Sequence, residues 1–309
     1  MRKFTSALIL VSAFLASALA QTSPFIGKWD FNISTQYGTR ACWLGISEKD
    51  GKLDIWFQPT GGNVYEVKDF SVSGSHLVLT LAPATAARPA FVWELDAKDG
   101  KLTGAQKRGA ETVPLTGLPA PPLKRDPPQA WTSPEPLFDG SDLNGWEPIG
   151  NPSFSHWIVQ DGLLVNQKRG DNLKTTRKFD DFKVHYEVNC PQGGNSGFYL
   201  RGRYEVQIEY EPLADNPPER RIGSVYGRIA ANPELPRTPG QWDTFDVTLV
   251  GRIVTVVRNG TTIIDRKEID GITGGALDAN ESEPGPFYIQ GDHTGGIKFR
   301  NITVSVPKT

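Results

Sequence analysis

Asn195-Ser196-Gly197-Phe198-Tyr199-Leu200-Arg201-Gly202-Arg203-Tyr204-Glu205-Val206-Gln207-Ile208-Glu209 carries two short runs of apolar–polar alternation on either side of a glycine. Side chains of an extended strand point alternately to opposite faces. Glu205, Gln207 and Glu209 therefore share one face, and Tyr204, Val206 and Ile208 share the other. By the same rule Tyr199 and Arg201 oppose Phe198 and Leu200. Arg201-Gly202-Arg203 joins the two runs into neighbouring strands whose polar faces point the same way. A solvent-facing sheet would present such a surface too. This one differs in carrying charged and amide groups without a lysine, and in following an Asn-Ser-Gly that reads as a specific backbone turn.

Outward from this hairpin the same period of two continues. His156–Gln160 leads through Asp161-Gly162 into Leu163-Leu164-Val165, and Phe182–Val188 alternates as a half-buried strand does. Thr244–Val250, Ile253–Arg258, Phe287–Gln290 and Ile297–Val306 follow, with Arg258-Asn259-Gly260-Thr261 as another hairpin turn. Many strands with long irregular insertions predict a jelly-roll sandwich over 137–309.

From Gly27 to about Gly117 shorter strands recur, at Leu53–Phe57, Leu77–Leu81 and Phe91–Leu95, with Asp50-Gly51, Gly61-Gly62 and Asp99-Gly100 as turns. They predict a smaller all-β domain over 21–118, an antiparallel barrel or sandwich. Its opening Gly27-Lys28-Trp29 resembles the start of lipocalin-like barrels. Prolines 119, 121, 122, 127, 128, 134 and 136 then predict a stiff extended linker over 119–136.

Arg2 and Lys3, an apolar run from Leu8 to Leu19 and Ala18-Leu19-Ala20 describe a secretory signal peptide over 1–20, with the mature chain starting at Gln21. The run is shorter than the roughly 18–20 apolar residues of a membrane span. The expected location is periplasmic or secreted, with no transmembrane segment. A net charge of −2 provides no basic field for nucleic acid. Cys42 and Cys190, in different domains, are expected to be buried free thiols.

No nucleophile elbow, phosphate-binding P-loop, His-Glu-x-x-His or paired Cys-x-x-Cys is present. No nucleotide or organic cofactor is expected. His293, in the Gly-rich segment Gln290–Gly296, is positioned to reach the edge of a sheet as a metal ligand or proton carrier.

Taken together, segments in order over 137–306 resemble the 3-keto-disaccharide hydrolases, also described as 3-keto-glucoside 1,2-lyases and 3-keto-2-hydroxyglucal hydratases. They include Leu137–Trp146, Asp161–Leu164, Phe179–Phe182, Asn195–Gly202, Tyr204–Ile208, Gln241–Thr244, Ile289–His293 and Phe299–Ile302. The resemblance implies an all-β, concanavalin-like jelly roll and a 3-keto sugar, small or oligosaccharide, as partner. It also implies elimination across C1–C2 of a 3-keto-glycoside, hydration of the resulting 3-keto-2-hydroxyglucal, or both. A divalent metal ion would stabilise the enolate.

By that resemblance Glu205 and His293 are the metal-site or acid–base candidates. Arg201 joins them as a catalytic candidate that orients sugar oxygens with Gln207, while Asn195, Tyr199 and Gln290 shape the substrate pocket. Gly291 and Thr294-Gly295-Gly296 suggest a loose loop around His293. A non-catalytic carbohydrate-binding jelly roll is the main alternative. A laminarinase-type glycosidase fits less well, because Glu205–Glu209 has an amide where the middle acid should stand.

Overall fold

The computed structural model describes residues 23–35 and 38–308, so the expected signal peptide over 1–20 and Gln21 lie outside the described residues. The N-terminal part is one antiparallel sheet. In chain order its strands are β1 (Gly27–Thr35), β2 (Gly38–Lys49), β3 (Lys52–Gln58), β4 (Tyr65–Glu66), β5 (Phe70–Ser73), β6 (His76–Ala82), β7 (Phe91–Lys98), β8 (Lys101–Arg108) and β9 (Glu111–Pro119). They lie in the order β4-β3-β2-β1-β9-β8-β7-β6-β5. The sheet curls into a half-barrel. Segment 67–69 bridges its two edges, with the Val67 amide donating to Ile55 and the Thr80 amide to Asp69. Phe31 and Phe57 each pack 4.9 Å from Trp93 at the centre of its core.

The hairpins turn where the sequence predicted. Asp50-Gly51, Asp99-Gly100, Asp161-Gly162 and Asn259-Gly260 all take positive φ at both positions. That backbone matches the right-handed twist of the flanking strands.

Residues 135–305 form two facing sheets. The larger contains β10 (Glu135–Phe138), β12 (Trp157–Gln160), β13 (Leu163–Asn166), β15 (Phe182–Asn189), β18 (Trp242–Val250), β19 (Ile253–Arg258), β20 (Thr261–Glu268) and β22 (Ile297–Ser305). The smaller contains β11 (Trp146–Ile149), β14 (Asn172–Thr175), β16 (Asn195–Leu200), β17 (Tyr204–Glu209) and β21 (Tyr288–Ile289). Tyr186 of β15 stacks on Phe198 of β16 at 4.2 Å and 9°, which marks the plane where the sheets meet. Burying a large apolar side chain of this kind is worth about 1.5–3 kcal/mol. The all-β architecture with a two-sheet jelly roll agrees with the sequence reading. Cys42 and Cys190 are both buried and free.

Pro-rich residues 120–134 follow an extended path held against the sandwich. Arg125 pairs with Asp180 at 2.5 Å and Asp181 at 3.0 Å, and Trp131 bridges to Pro307. A Cβ on Gly251 would come within 2.0 Å of the Leu123 carbonyl, so this segment lies directly on the turn after β18.

The half-barrel meets the sandwich along a seam where Ala41 and Trp43 of β2 join the sandwich core and polar pairs line the rest. Lys28 pairs with Asp270 at 2.9 Å, Asn32 donates to Asn280 at 2.8 Å, and the Gly275 amide donates to the Thr60 carbonyl at 2.9 Å. This contact changes the environment of the central hairpin. Every residue of β17 is buried, including the face expected to be a polar surface.

Candidate active site

Glu205 and Tyr199 stand directly opposite each other in the β16–β17 pair, so their side chains leave the same face. Tyr199 Oη lies 2.8 Å from Glu205 Oε2 and 2.8 Å from the Gly274 carbonyl oxygen. A phenol has one proton and cannot donate to both. Tyr199 donates to one of them when Glu205 is ionised, whereas a protonated Glu205 can donate to Tyr199 Oη and free the phenol to donate to Gly274. Burial pushes the Glu205 carboxyl up to about 8 and the charge of Asp292 adds to it, against the lowering that Tyr199 exerts when its phenol donates to the carboxylate. Tyr288 stacks on Tyr199 at 3.8 Å and 14° and donates to the Gly275 carbonyl at 2.6 Å.

Space for the Glu205 carboxyl comes from Gly197. A Cβ there would sit 2.1 Å from Glu205 Oε1. Asn195-Ser196-Gly197 is therefore the opening of β16, not the backbone turn expected from its composition.

His293 lies beside this pair on the cavity wall. Its Nδ1 is 2.7 Å from Asp292 Oδ1, which holds that nitrogen protonated and leaves Nε2 free. The Asp292 hydrogen bond raises the imidazole above its ordinary value, against the effect of burial. The loop around it is pinned, contrary to expectation. Thr294 Oγ1 accepts from the Asn195 amide and donates to its carbonyl, and Gly291 N donates to Asn172 Oδ1.

These groups line a cavity of about 500 Å³, within the range typical of small-molecule sites. Asn195, Tyr199, Glu205, Gln207, Gln290 and His293 all line it. Gln207 Oε1 accepts from the Ile208 amide, which leaves its NH₂ group to the cavity. Gln290 Oε1 is buried with no protein partner. Thr39, Arg40 and Ala41 of β2 with Thr60, Gly61 and Gly62 complete the wall, so the half-barrel contributes to the site.

Arg201 does not join them. It begins the turn at φ 52 and sends a buried guanidinium to Asp180 at 3.1 Å and the Gly251 carbonyl at 2.8 Å. The role of orienting sugar oxygens does not fit this placement. Glu209 is also spent elsewhere, in a pair with Arg237 at 2.6 Å.

Among the described residues, no group of three or more His, Cys, Asp or Glu side chains is arranged to hold a metal ion. Glu205 and the Asp292-bound His293 do not by themselves form a cage for the divalent ion expected there.

Sequence reasoning missed Tyr288, Asp292 and the wall supplied by β2 and residues 60–62. Tyr288 had a signal, since it precedes Gln290 by two in one extended run and so shares its face. The half-barrel residues had none, because they reach the cavity only through tertiary packing.

The family model for the 3-keto-α-glucoside-1,2-lyase-like domain matches residues 133–305. A 3-keto-disaccharide hydrolase of Bacteroides thetaiotaomicron is 26% identical over 164 residues, which are 42% of this chain and 57% of that protein. The match thus spans little more than half of that relative's length. Among solved structures, a candidate glycosyl hydrolase from Parabacteroides distasonis is similar at 30% identity and TM-score 0.47, covering 55% of this chain and 82% of the other. A non-specific endo-β-1,3(4)-glucanase of family GH16 is similar at 12% identity and TM-score 0.35, covering 59% and 95%.

Proposed function

Because the chain belongs to the family of 3-keto-α-glucoside-1,2-lyase-like domains, we propose that it cleaves 3-keto-glycosides by β-elimination across C1–C2 and hydrates the product. A ketone at C3 acidifies the C2 proton, and the C1 oxygen then leaves. The chemistry needs a base at C2 and an acid at the departing oxygen.

Two groups in the cavity can divide these roles by their placement. Glu205, held up to about 8, carries a proton at neutral pH and is the acid for the leaving oxygen. His293, oriented by Asp292, offers Nε2 as the base for C2. Elimination leaves His293 protonated and Glu205 ionised. Glu205 then takes a proton from the water that adds at C1, and His293 returns its proton to C2. The sum is hydrolysis with both residues restored. The NH₂ of Gln207 is free to donate to a sugar oxygen, and Gln290 lines the same cavity. Asn195 and the Tyr199–Tyr288 stack shape the pocket. Export by residues 1–20 would make this a periplasmic or secreted activity.

The observation that carries this reading is the buried Glu205 carboxyl, 2.8 Å from Tyr199 Oη, in one cavity with the His293–Asp292 pair. Incubation with a 3-keto-glucoside and its unoxidised parent tests it, and only the keto sugar should be consumed. Glu205→Gln and His293→Ala should each lower turnover by about 10²–10⁴-fold, and a loss below tenfold removes the residue from the mechanism. Turnover should also fall as pH rises through about 8, where the acid loses its proton. Binding of the keto sugar without consumption would favour a carbohydrate-binding protein instead.

A further inference from the structure

A second cavity, of about 810 Å³, lies in the seam beside the first. Its floor follows from the register of the half-barrel. Lys28 of β1 faces Gly45 of β2, and Gly45 faces Trp56 of β3, so the three form one cross-strand row on the outer face of the sheet. Gly45 leaves a gap in that row, and the Trp43 ring fills it. A Cβ on Gly45 would come within 2.2 Å of that ring. Arg228 covers Trp43 from the sandwich side, 4.3 Å from the ring centroid.

Trp56 remains 40% exposed, the one tryptophan among the exposed large apolar side chains of the described residues. Asp54 accepts from its Nε1 at 3.0 Å and fixes the plane of the indole. Around the two indoles stand the Lys28–Asp270 pair, Glu219 and Asn63.

We propose that this cleft is a second saccharide site, with Trp56 as its stacking platform and a neutral oligosaccharide as its ligand. A sugar ring offers an apolar C–H face and a rim of hydroxyls that both donate and accept. The cleft offers a fixed indole face together with ammonium, amide and carboxylate groups. Three carboxylates against two cations, Lys28 and Arg228, argue against an anionic ligand. The cleft also adjoins the catalytic cavity. Gly62 and Tyr226 line the latter, while their neighbours Asn63 and Gly227 line the former. A Cβ on Gly227 would lie 3.3 Å from Asn63 Oδ1, so these two residues form the partition. Occupancy of the cleft does not depend on the elimination chemistry.

Titration calorimetry of the full chain carrying Glu205→Gln, with maltotriose, cellotriose and laminaritriose as probes, tests the site. At least one trisaccharide should bind, and adding Trp56→Ala should weaken it at least tenfold, with Trp56→Phe intermediate. Trp56→Ala in the otherwise unaltered chain should leave the melting midpoint and turnover of a methyl 3-keto-glucoside unchanged. No binding by any probe, or equal binding with and without Trp56, would overturn the site while leaving the catalytic reading intact. If the 3-keto-glucoside is not consumed but Trp56-dependent binding persists, the catalytic reading fails and the cleft stands.

Discussion

Glu205 is a carboxylic acid kept where water barely reaches, at 3% exposure. Its usefulness as an acid and its cost to the fold have one origin. The carboxyl is raised from 4.5 to about 8, so the folded chain binds its proton more tightly than the unfolded chain does. Stability from this residue is therefore lost as pH rises from about 4.5 to about 8. Glu205→Gln keeps the shape and removes the titration. The variant should melt near the parent at pH 5 and above it at pH 8, where 1 kcal/mol corresponds to about 2–4 °C for a domain of this size. Calorimetric scans at the two pH values check it, and an equal difference at both would mean that Glu205 is ionised in the fold. The alternation placed Glu205 on the right face. It could not reveal that the face is covered, because the cover comes from segments distant in sequence, residues 39–41 and 60–62 of the half-barrel and 273–277 of the sandwich.

At the scale of the element, the hairpin was legible in its strands and misleading at its ends. Period-two alternation assigns faces only while the chain stays extended. It put Arg201 on the face of Tyr199, but β16 stops at Leu200 and Arg201 has already turned, so its guanidinium points to Asp180 instead. The Asn-Ser-Gly reading failed for a related reason. Glycine marks both turns and close approaches, and at Gly197 the approach is that of the Glu205 carboxyl. Gly197→Ala should therefore spare the fold and injure the site. The added methyl displaces the end of one side chain, so far-ultraviolet circular dichroism should be unchanged while turnover drops at least tenfold. Full turnover in this variant would show that the carboxyl's present position is not required.

Across the whole molecule, the seam sets what the two parts do together. Seven prolines mark residues 119–136 in the sequence, yet the contacts around them were invisible, since β1 and the 270–283 region meet only after both parts fold. At the centre of the seam, Asp30 of β1 is buried beside Glu281. Glu281 accepts from Tyr204 at 2.6 Å and is paired with Arg252, so its charge is satisfied within the sandwich. Asp30 is pushed up to about 8, first by burial and then by the charge of Glu281, with Arg252 and Arg203 opposing. It enters the seam carrying a proton. Its contribution to stability accordingly declines as pH rises from about 3.8 to about 8, and is fully lost above that window. Asp30→Asn retains a neutral group of the same shape. Its melting midpoint should match the parent at pH 4, rise above it progressively to pH 8, and hold a constant lead at pH 9. Because residues 60–62 close the catalytic cavity from the half-barrel side, the same variant should also keep activity to higher temperature at pH 8. A lead that is the same at pH 4 and pH 9 would mean that Asp30 is not protonated at the seam.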